Sequence, residues 1–164
     1  MKKVILGATG SIGSSLAKKL VESGEQVHLV GRDEANLSEL ANKLDSTFST
    51  CDVLEENFSE KIINDLKDEQ VNGLAYCVGS IDLKPLKLTK KSDFMQSFNL
   101  NLVSATEIIK SLADNLKASK GSIVLFSTVA VQQGFPNHAI VSSAKGAVEG
   151  LTLALAAEYA PNIR

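Results

Sequence analysis

Three glycines, Gly7, Gly10 and Gly13, recur at three-residue intervals between a short apolar segment and a helical pattern. Gly7 would let the chain turn sharply off a strand, and Gly10 would let the backbone approach a pyrophosphate. Gly13 would let the new helix pack closely on the strand, so that its N–H groups and positive dipole end point at the phosphates. We therefore predict a dinucleotide phosphate site in this turn, built from the three glycines together with Thr9, Ser11 and Ile12.

The spacing of these glycines is Gly-x-x-Gly-x-x-Gly and not the more familiar Gly-x-Gly-x-x-Gly, so the motif alone is only moderately specific. A glycine-rich turn without a ligand is the alternative. Three glycines at the first crossover are costly for folding alone, and this favours the phosphate site.

The elements that would position this turn alternate between strand and helix patterns along the chain. Such alternation implies right-handed crossovers, a parallel sheet and helices on both faces. We predict an α/β, Rossmann-like doubly wound sheet of order 3-2-1-4-5, with a ligand at the carboxyl ends of the strands. The predicted strands cover 3–7, 27–30, 47–51, 73–78 and 122–127, and the predicted helices cover 11–23, 33–44, 55–68, 92–117 and 139–159.

Composition limits the partners and the compartment. The 164 residues, 44% of them hydrophobic, suffice for one domain over residues 1–164, and the net charge of −2 does not favour nucleic acid. Cys51 and Cys77 form no Cys-x-x-Cys pair and indicate reduced thiols in a cytoplasmic protein without a metal site. The first apolar run stops at the glycines, so no secretion signal is expected, and no continuous 18-residue apolar run predicts a membrane span.

Arg32 directly follows the second predicted strand, where the adenosine ribose of a dinucleotide is expected. Its guanidinium is a planar set of donors suited to a 2′-phosphate, so NADP is favoured over NAD. Two alternatives stay open. Arg32 could be an ordinary exposed residue before a helix cap, or the neighbouring Asp33 could face the ribose instead.

The glycine turn, Asp52-Val53, Gly79 and a lysine within a small-residue helix together resemble the short-chain dehydrogenase/reductase family over essentially the whole chain. The resemblance implies that Asp52, with Val53, contacts the adenine of a nicotinamide coenzyme. The family's Asn-Asn-Ala-Gly is here Tyr76-Cys77-Val78-Gly79, so the resemblance implies backbone contacts to the coenzyme from Cys77 and Gly79.

The same resemblance implies a set of catalytic residues. In the family, a tyrosine exchanges the proton, a serine binds the carbonyl, an asparagine holds a water relay, and a lysine grips the nicotinamide ribose. Lys145 matches the lysine, Asn101 the asparagine and Thr128 the serine. Val141 stands at the tyrosine position, and valine cannot donate a proton.

Three interpretations follow from the missing tyrosine. In the first, the chain is an NADP(H)-dependent oxidoreductase acting on a carbonyl or enoyl group of a small molecule, with another residue as acid. His138 is the main candidate, because Pro136-Asn137 makes this segment similar to the Pro-Asn-Tyr segment of bacterial enoyl-acyl-carrier-protein reductases. Ser142 and Ser143 are weaker candidates. The second and third are a catalytically inactive NADP(H)-binding regulatory or scaffolding protein and a nucleotide-sensing interaction protein.

The small residues of the last helix would let another helix approach closely. By the resemblance, helices 92–117 and 139–159 would form the interface of a homodimer or homotetramer. The family usually continues through further strands, and residues 162–164 look like the start of one, so the sheet is expected to be truncated at its C-terminal end.

Overall fold

The computed structural model describes residues 1–164. Its sheet consists of five strands: β1 (Lys2–Leu6), β2 (Gln26–Gly31), β3 (Thr47–Thr50), β4 (Val71–Tyr76) and β5 (Ser122–Leu125). All neighbouring strands pair in parallel, in the order β3-β2-β1-β4-β5. The predicted fold class and strand order are therefore confirmed.

Seven helices accompany the strands: five lie between successive strands, and two follow β5. They are α1 (Ser11–Glu22), α2 (Glu34–Lys43), α3 (Phe58–Leu66), α4 (Lys91–Phe98), α5 (Ser104–Ala118), α6 (Ala130–Gln133) and α7 (Ala139–Tyr159). A 3₁₀ turn covers Leu86–Leu88, and a π turn covers Asn99–Val103.

The central strand β1 shows why the sheet is covered on both sides. Alternate strand residues point to opposite faces, so Val4 and Leu6 join one apolar cluster and Ile5 joins the other. The cluster around Val4 includes residues of α3 and α5, whereas the cluster around Ile5 includes residues of α1 and α2. The layers hold the carboxyl ends of the strands at one common edge of the sheet.

Several predicted boundaries need correction. The helix predicted over 55–68 spans only Phe58–Leu66, and the strand predicted over 122–127 ends at Leu125. The short helix α6 has no counterpart in the prediction. Asp33 caps α2, since its carboxylate accepts the Asn36 backbone N–H at 3.0 Å.

The helical region predicted over 92–117 is two helices, α4 and α5, joined by the π turn. Helix propensity along the sequence gives no signal for a π turn. Such turns occur mostly as single insertions in helices, frequently at functional sites.

The backbone of Arg164 pairs with the outer edge of β5. Its N–H donates to the Gly121 carbonyl at 3.0 Å, and its carbonyl accepts the Ile123 N–H at 2.7 Å. Residues 162–164 were expected to start a strand. Arg164 does make the hydrogen bonds of a paired strand, although these residues are not assigned as a strand.

Helix α7 is, by length and composition alone, long and apolar enough to cross a membrane. This qualifies the expectation drawn from continuous apolar runs, because α7 reaches that hydropathy with Lys145 in its interior. Core helices of other proteins meet the same criterion, so α7 is weak evidence for a membrane span.

Candidate functional site

The glycine turn between β1 and α1 is crowded in the way its residue types predict. Gly7 has φ +74°, and a Cβ there would lie 2.9 Å from the carbonyl carbon and oxygen of Cys77. A Cβ on Gly13 would overlap the Gly7 carbonyl oxygen. Gly10 directly precedes helix α1 and supplies no side-chain cap, and the first turn of α1 has no acidic residue. Its positive end is therefore available to an anion.

A cleft of about 1040 Å³ opens at the carboxyl ends of β1 to β4. Eight predicted coenzyme residues line it: Gly7, Thr9, Gly10, Arg32, Asp52, Val53, Cys77 and Gly79. Ser11, Ile12 and Gly13 lie in the first turn of α1 and do not line it, with Gly13 buried beneath the turn. The prediction missed further lining residues, among them Leu54, Ser80, Gln96 and Leu100. Leu54 and Ser80 continue the loops after β3 and β4, so strand ends could have suggested them, whereas Gln96 and Leu100 enter only through helix packing.

Arg32 and Asp52 face each other at one end of this cleft. The Arg32 Nη1 lies 3.4 Å from Asp52 Oδ2, and Asp52 Oδ1 accepts the Leu54 backbone N–H at 3.0 Å. Exposed ion pairs of this kind contribute little to stability, so the guanidinium is free to change partner. Asp33 is occupied as the cap of α2, where it also accepts from the Asn36 side chain at 2.7 Å.

Asn101 and Lys145, from distant parts of the chain, meet at Gly79. The point where a Cβ on Gly79 would sit is 2.9 Å from Asn101 Oδ1 and 3.3 Å from Lys145 Nζ. Lys145 is 9% exposed, and no carboxylate lies within ion-pair distance of its ammonium. Burial therefore lowers the pKa of Lys145 from its usual value.

Asn101 is held by only one end of its amide. Its Nδ2 donates to the Ser97 carbonyl at 2.9 Å, while its Oδ1 is buried and has no hydrogen-bond partner. A buried acceptor without a donor is costly, so a ligand or water that donates a hydrogen bond to Asn101 Oδ1 would be favourable at this position beside Lys145.

The residues predicted to exchange the proton and to bind the substrate oxygen do not form one hydrogen-bonded group. Val141 is 3% exposed and packs in the protein interior. The Oγ1 of Thr128 accepts the Ala130 N–H at 3.3 Å, which starts α6. The Nδ1 of His138 donates to the Pro136 carbonyl at 2.8 Å, since a carbonyl can only accept, and this leaves Nε2 as the nitrogen that can exchange a proton. No hydrogen bond joins His138 to the other predicted catalytic residues.

The weaker candidates for the proton donor are engaged elsewhere. The Ser142 hydroxyl donates to the Ala130 carbonyl at 3.2 Å, and the Ser143 hydroxyl donates to the Ala139 carbonyl at 2.7 Å. Both hydroxyls therefore satisfy helix carbonyls.

The described arrangement fits a nicotinamide coenzyme. Gly7, Thr9 and Gly10 of the turn after β1 line one part of the cleft, and the unpartnered Asn101 Oδ1 lies beside Gly79, which lines another part. Comparison with known proteins agrees. The sequence profile of a family described as "Enoyl-(Acyl carrier protein) reductase" matches residues 7–164. The chain belongs to the short-chain dehydrogenase/reductase family.

Curated relatives of this short-chain dehydrogenase/reductase include L-xylulose reductase of Bos taurus, which is 29% identical over 98% of this chain and 66% of its own length. A tropinone reductase homolog of Arabidopsis thaliana is 32% identical over 100% of this chain and 64% of its own length. The chain thus spans just under two thirds of these relatives.

Solved structures share the fold of this chain. One short chain dehydrogenase/reductase family protein superposes with a TM-score of 0.93 at 24% identity, over 100% of this chain and 71% of its own. The serine dehydrogenase of Escherichia coli superposes with a TM-score of 0.92 at 18% identity, over 100% of this chain and 79% of its own.

Proposed function

We propose that this chain binds NADP(H) in the cleft and acts as an oxidoreductase on a carbonyl or enoyl group of a small molecule. One observation carries the proposal. The ammonium of Lys145 is buried near Gly79 without a carboxylate partner, and the unpartnered Oδ1 of Asn101 lies at the same place. A buried cation without a partner is unfavourable, and a ribose hydroxyl or a water would supply acceptors for it.

Most residues that would hold the coenzyme line the cleft, and Lys145 lies behind Gly79 at its wall. The glycine turn and the start of α1 would bind the diphosphate, Asp52 and Val53 the adenine, and Lys145 the nicotinamide ribose. When bound, the coenzyme supplies a hydride acceptor or donor. Arg32 supports NADP over NAD, because its exposed guanidinium can exchange Asp52 for a 2′-phosphate.

The proton step needs a group other than residue 141. We assign it to His138, whose Nδ1–H is fixed on the Pro136 carbonyl, so that Nε2 can take up and release the proton. Thr128 would donate a hydrogen bond to the substrate oxygen, and Asn101 would hold a water near Lys145.

A catalytically inactive NADP(H)-binding regulatory or scaffolding protein is the second candidate. It is favoured by the burial of Val141 and by the lack of any hydrogen bond between His138 and the other catalytic candidates. The free cysteines Cys51 and Cys77 support a reducing, cytoplasmic setting for either function.

Calorimetric titration with NADPH and NADH tests the coenzyme proposal. We expect Arg32→Ala to weaken NADPH binding by about tenfold or more, the typical contribution of a charged hydrogen bond, and to change NADH binding by less than about twofold. Arg164→Ala is the matched control, because Arg164 is the other arginine and lies outside the cleft. If intact, folded protein releases no heat with either nucleotide, the proposal is wrong.

The proton assignment is tested by following the absorbance of NADPH with a panel of ketones and enoyl thioesters. We expect His138→Ala to lower kcat by about 10²-fold or more, the usual contribution of a general acid, while NADPH affinity stays unchanged. Turnover that survives in His138→Ala contradicts the assignment. Tight NADPH binding without turnover by the unaltered protein would instead support the regulatory function.

A further inference from the structure

Tyr76 ends β4 at the position where the family has an asparagine, and it contacts the π turn that contains Asn101. The Tyr76 hydroxyl donates to the Leu100 carbonyl at 2.7 Å. The residue is 2% exposed and belongs to the apolar cluster on the α5 side of the sheet. Tyr76 does not line the cleft, so it does not replace the phenol missing at position 141.

A π turn changes which carbonyls the helix itself can satisfy. The Ser104 N–H donates to the Asn99 carbonyl, five residues back instead of four. Side-chain hydroxyls contact two successive carbonyls of this turn: Ser104 Oγ lies 2.9 Å from the Asn99 oxygen, and Tyr76 donates to that of Leu100. The turn is therefore fixed by groups outside its own backbone ladder.

We propose that Tyr76 is a positioning residue, whose hydroxyl holds the π turn so that Asn101 directs its unpartnered Oδ1 toward Lys145 and Gly79. Leu100 immediately precedes Asn101, so displacement of the Leu100 carbonyl rotates the peptide that carries the asparagine side chain. Burial raises the pKa of the Tyr76 phenol, which keeps the hydroxyl protonated and able to donate. The role of Asn101 toward coenzyme rests on the proposed function, but the bracing of the turn does not.

The bracing is tested by side-chain and backbone amide NMR of Tyr76→Phe, which removes the hydroxyl and keeps the ring. Tyr159→Phe is the matched control, because Tyr159 is the only other tyrosine and lies at the end of α7. The pair of side-chain amide proton signals of Asn101 is assigned by its loss in Asn101→Ala. We expect Tyr76→Phe to shift this pair and to speed exchange of the amides of 99–103 by about three- to tenfold. The control leaves both unchanged.

Unshifted Asn101 signals in folded Tyr76→Phe would overturn the proposal. A second measurement needs no variant: in the unaltered protein, the Tyr76 hydroxyl proton is expected to exchange slowly and to show a nuclear Overhauser effect to the Asn101 backbone amide. A rapidly exchanging hydroxyl overturns the proposal even if Tyr76→Phe fails to fold.

Coupling to the coenzyme site is measured by a double-mutant cycle on NADPH affinity. We expect Tyr76→Phe to weaken binding about three- to tenfold alone, and less than about twofold in the Asn101→Ala background, because the asparagine it positions is absent. Equal effects in both backgrounds would mean that Tyr76 acts only on general stability, which contradicts the proposal. If the unaltered protein does not bind NADPH, the proposed function fails, while the NMR result still decides the bracing.

Discussion

At the scale of single residues, His28 in β2 is a buried titratable group away from the cleft. Its Nδ1 lies 2.8 Å from Thr47 Oγ1 and its Nε2 lies 2.8 Å from Ser49 Oγ, while Lys2 donates to the same Thr47 oxygen at 3.0 Å. Burial, with a smaller effect of the Lys2 charge, lowers the pKa of His28 from 6.5 to about 4. The folded protein therefore disfavours protonation that the unfolded chain accepts.

The lowered pKa of His28 predicts that acid destabilises the folded protein. The folded state binds fewer protons at His28 than the unfolded state between pH 6.5 and about 4, so stability is present above pH 6.5 and is lost as pH falls through that range. The loss is about 3 kcal/mol of unfolding free energy at most. Urea unfolding at several pH values measures it.

The variant for this measurement is His28→Gln, which we expect to flatten the pH dependence across the range. His138→Gln, which removes the only other histidine, should keep the slope of the unaltered protein. Parallel slopes for His28→Gln and the unaltered protein would contradict the attribution to His28.

At the scale of elements, the C-terminal half of α5 fixes the start of β4. Asn115 Oδ1 accepts the backbone N–H of the fully buried Val71 at 2.6 Å, and Ser119 Oγ donates to the Val71 carbonyl at 2.7 Å. These bonds set where β4 begins, and hence where its carboxyl end places Tyr76 and Gly79.

Asn115→Ala leaves the Val71 amide without an acceptor, and we expect it to lower the free energy of unfolding by about 1–3 kcal/mol. Asn115→Asp retains an acceptor oxygen and should cost less. Asp114→Ala is the control, because the neighbouring Asp114 side chain is fully exposed, at 103%. Chemical denaturation compares the three variants, and equal loss in Asn115→Ala and Asp114→Ala would refute the role of the bond.

At the scale of the whole molecule, the chain exposes apolar surface on the helices expected to form an interface. Leu153 on α7 is 74% exposed, and Val103 beside α5 is also exposed. Relatives in this family commonly assemble, and we propose a homodimer or homotetramer through α4, α5 and α7.

Leu153→Asp should therefore shift the sedimentation coefficient toward the monomer, because it places a charge in the buried part of the proposed interface. Leu86→Asp is the matched control: Leu86 is a similarly exposed leucine outside these helices, and its replacement should leave the assembly unchanged. Unaltered protein that sediments as a monomer at high concentration excludes this interface.

Much of the fold and part of the site were predictable because their determinants are local. The turn at Gly7 and the alternation of strand and helix patterns depend on residues that are close in sequence, and they correctly implied the strand order. The β5 boundary was wrong because Phe126 and Ser127 continue the apolar and polar pattern after pairing with β4 has stopped.

The sequence by itself determined a doubly wound sheet with a glycine turn at its central strand, since short-range periodicity and backbone sterics act before the chain is packed. Only the tertiary structure decided that Gly79, Asn101 and Lys145 meet, that Asn101 Oδ1 lacks a partner, and that Tyr76 contacts the π turn. These relations depend on the side chains of one element filling the space left by another. Spacing along the chain does not encode such complementarity, which arises when α5 and α7 pack against the sheet.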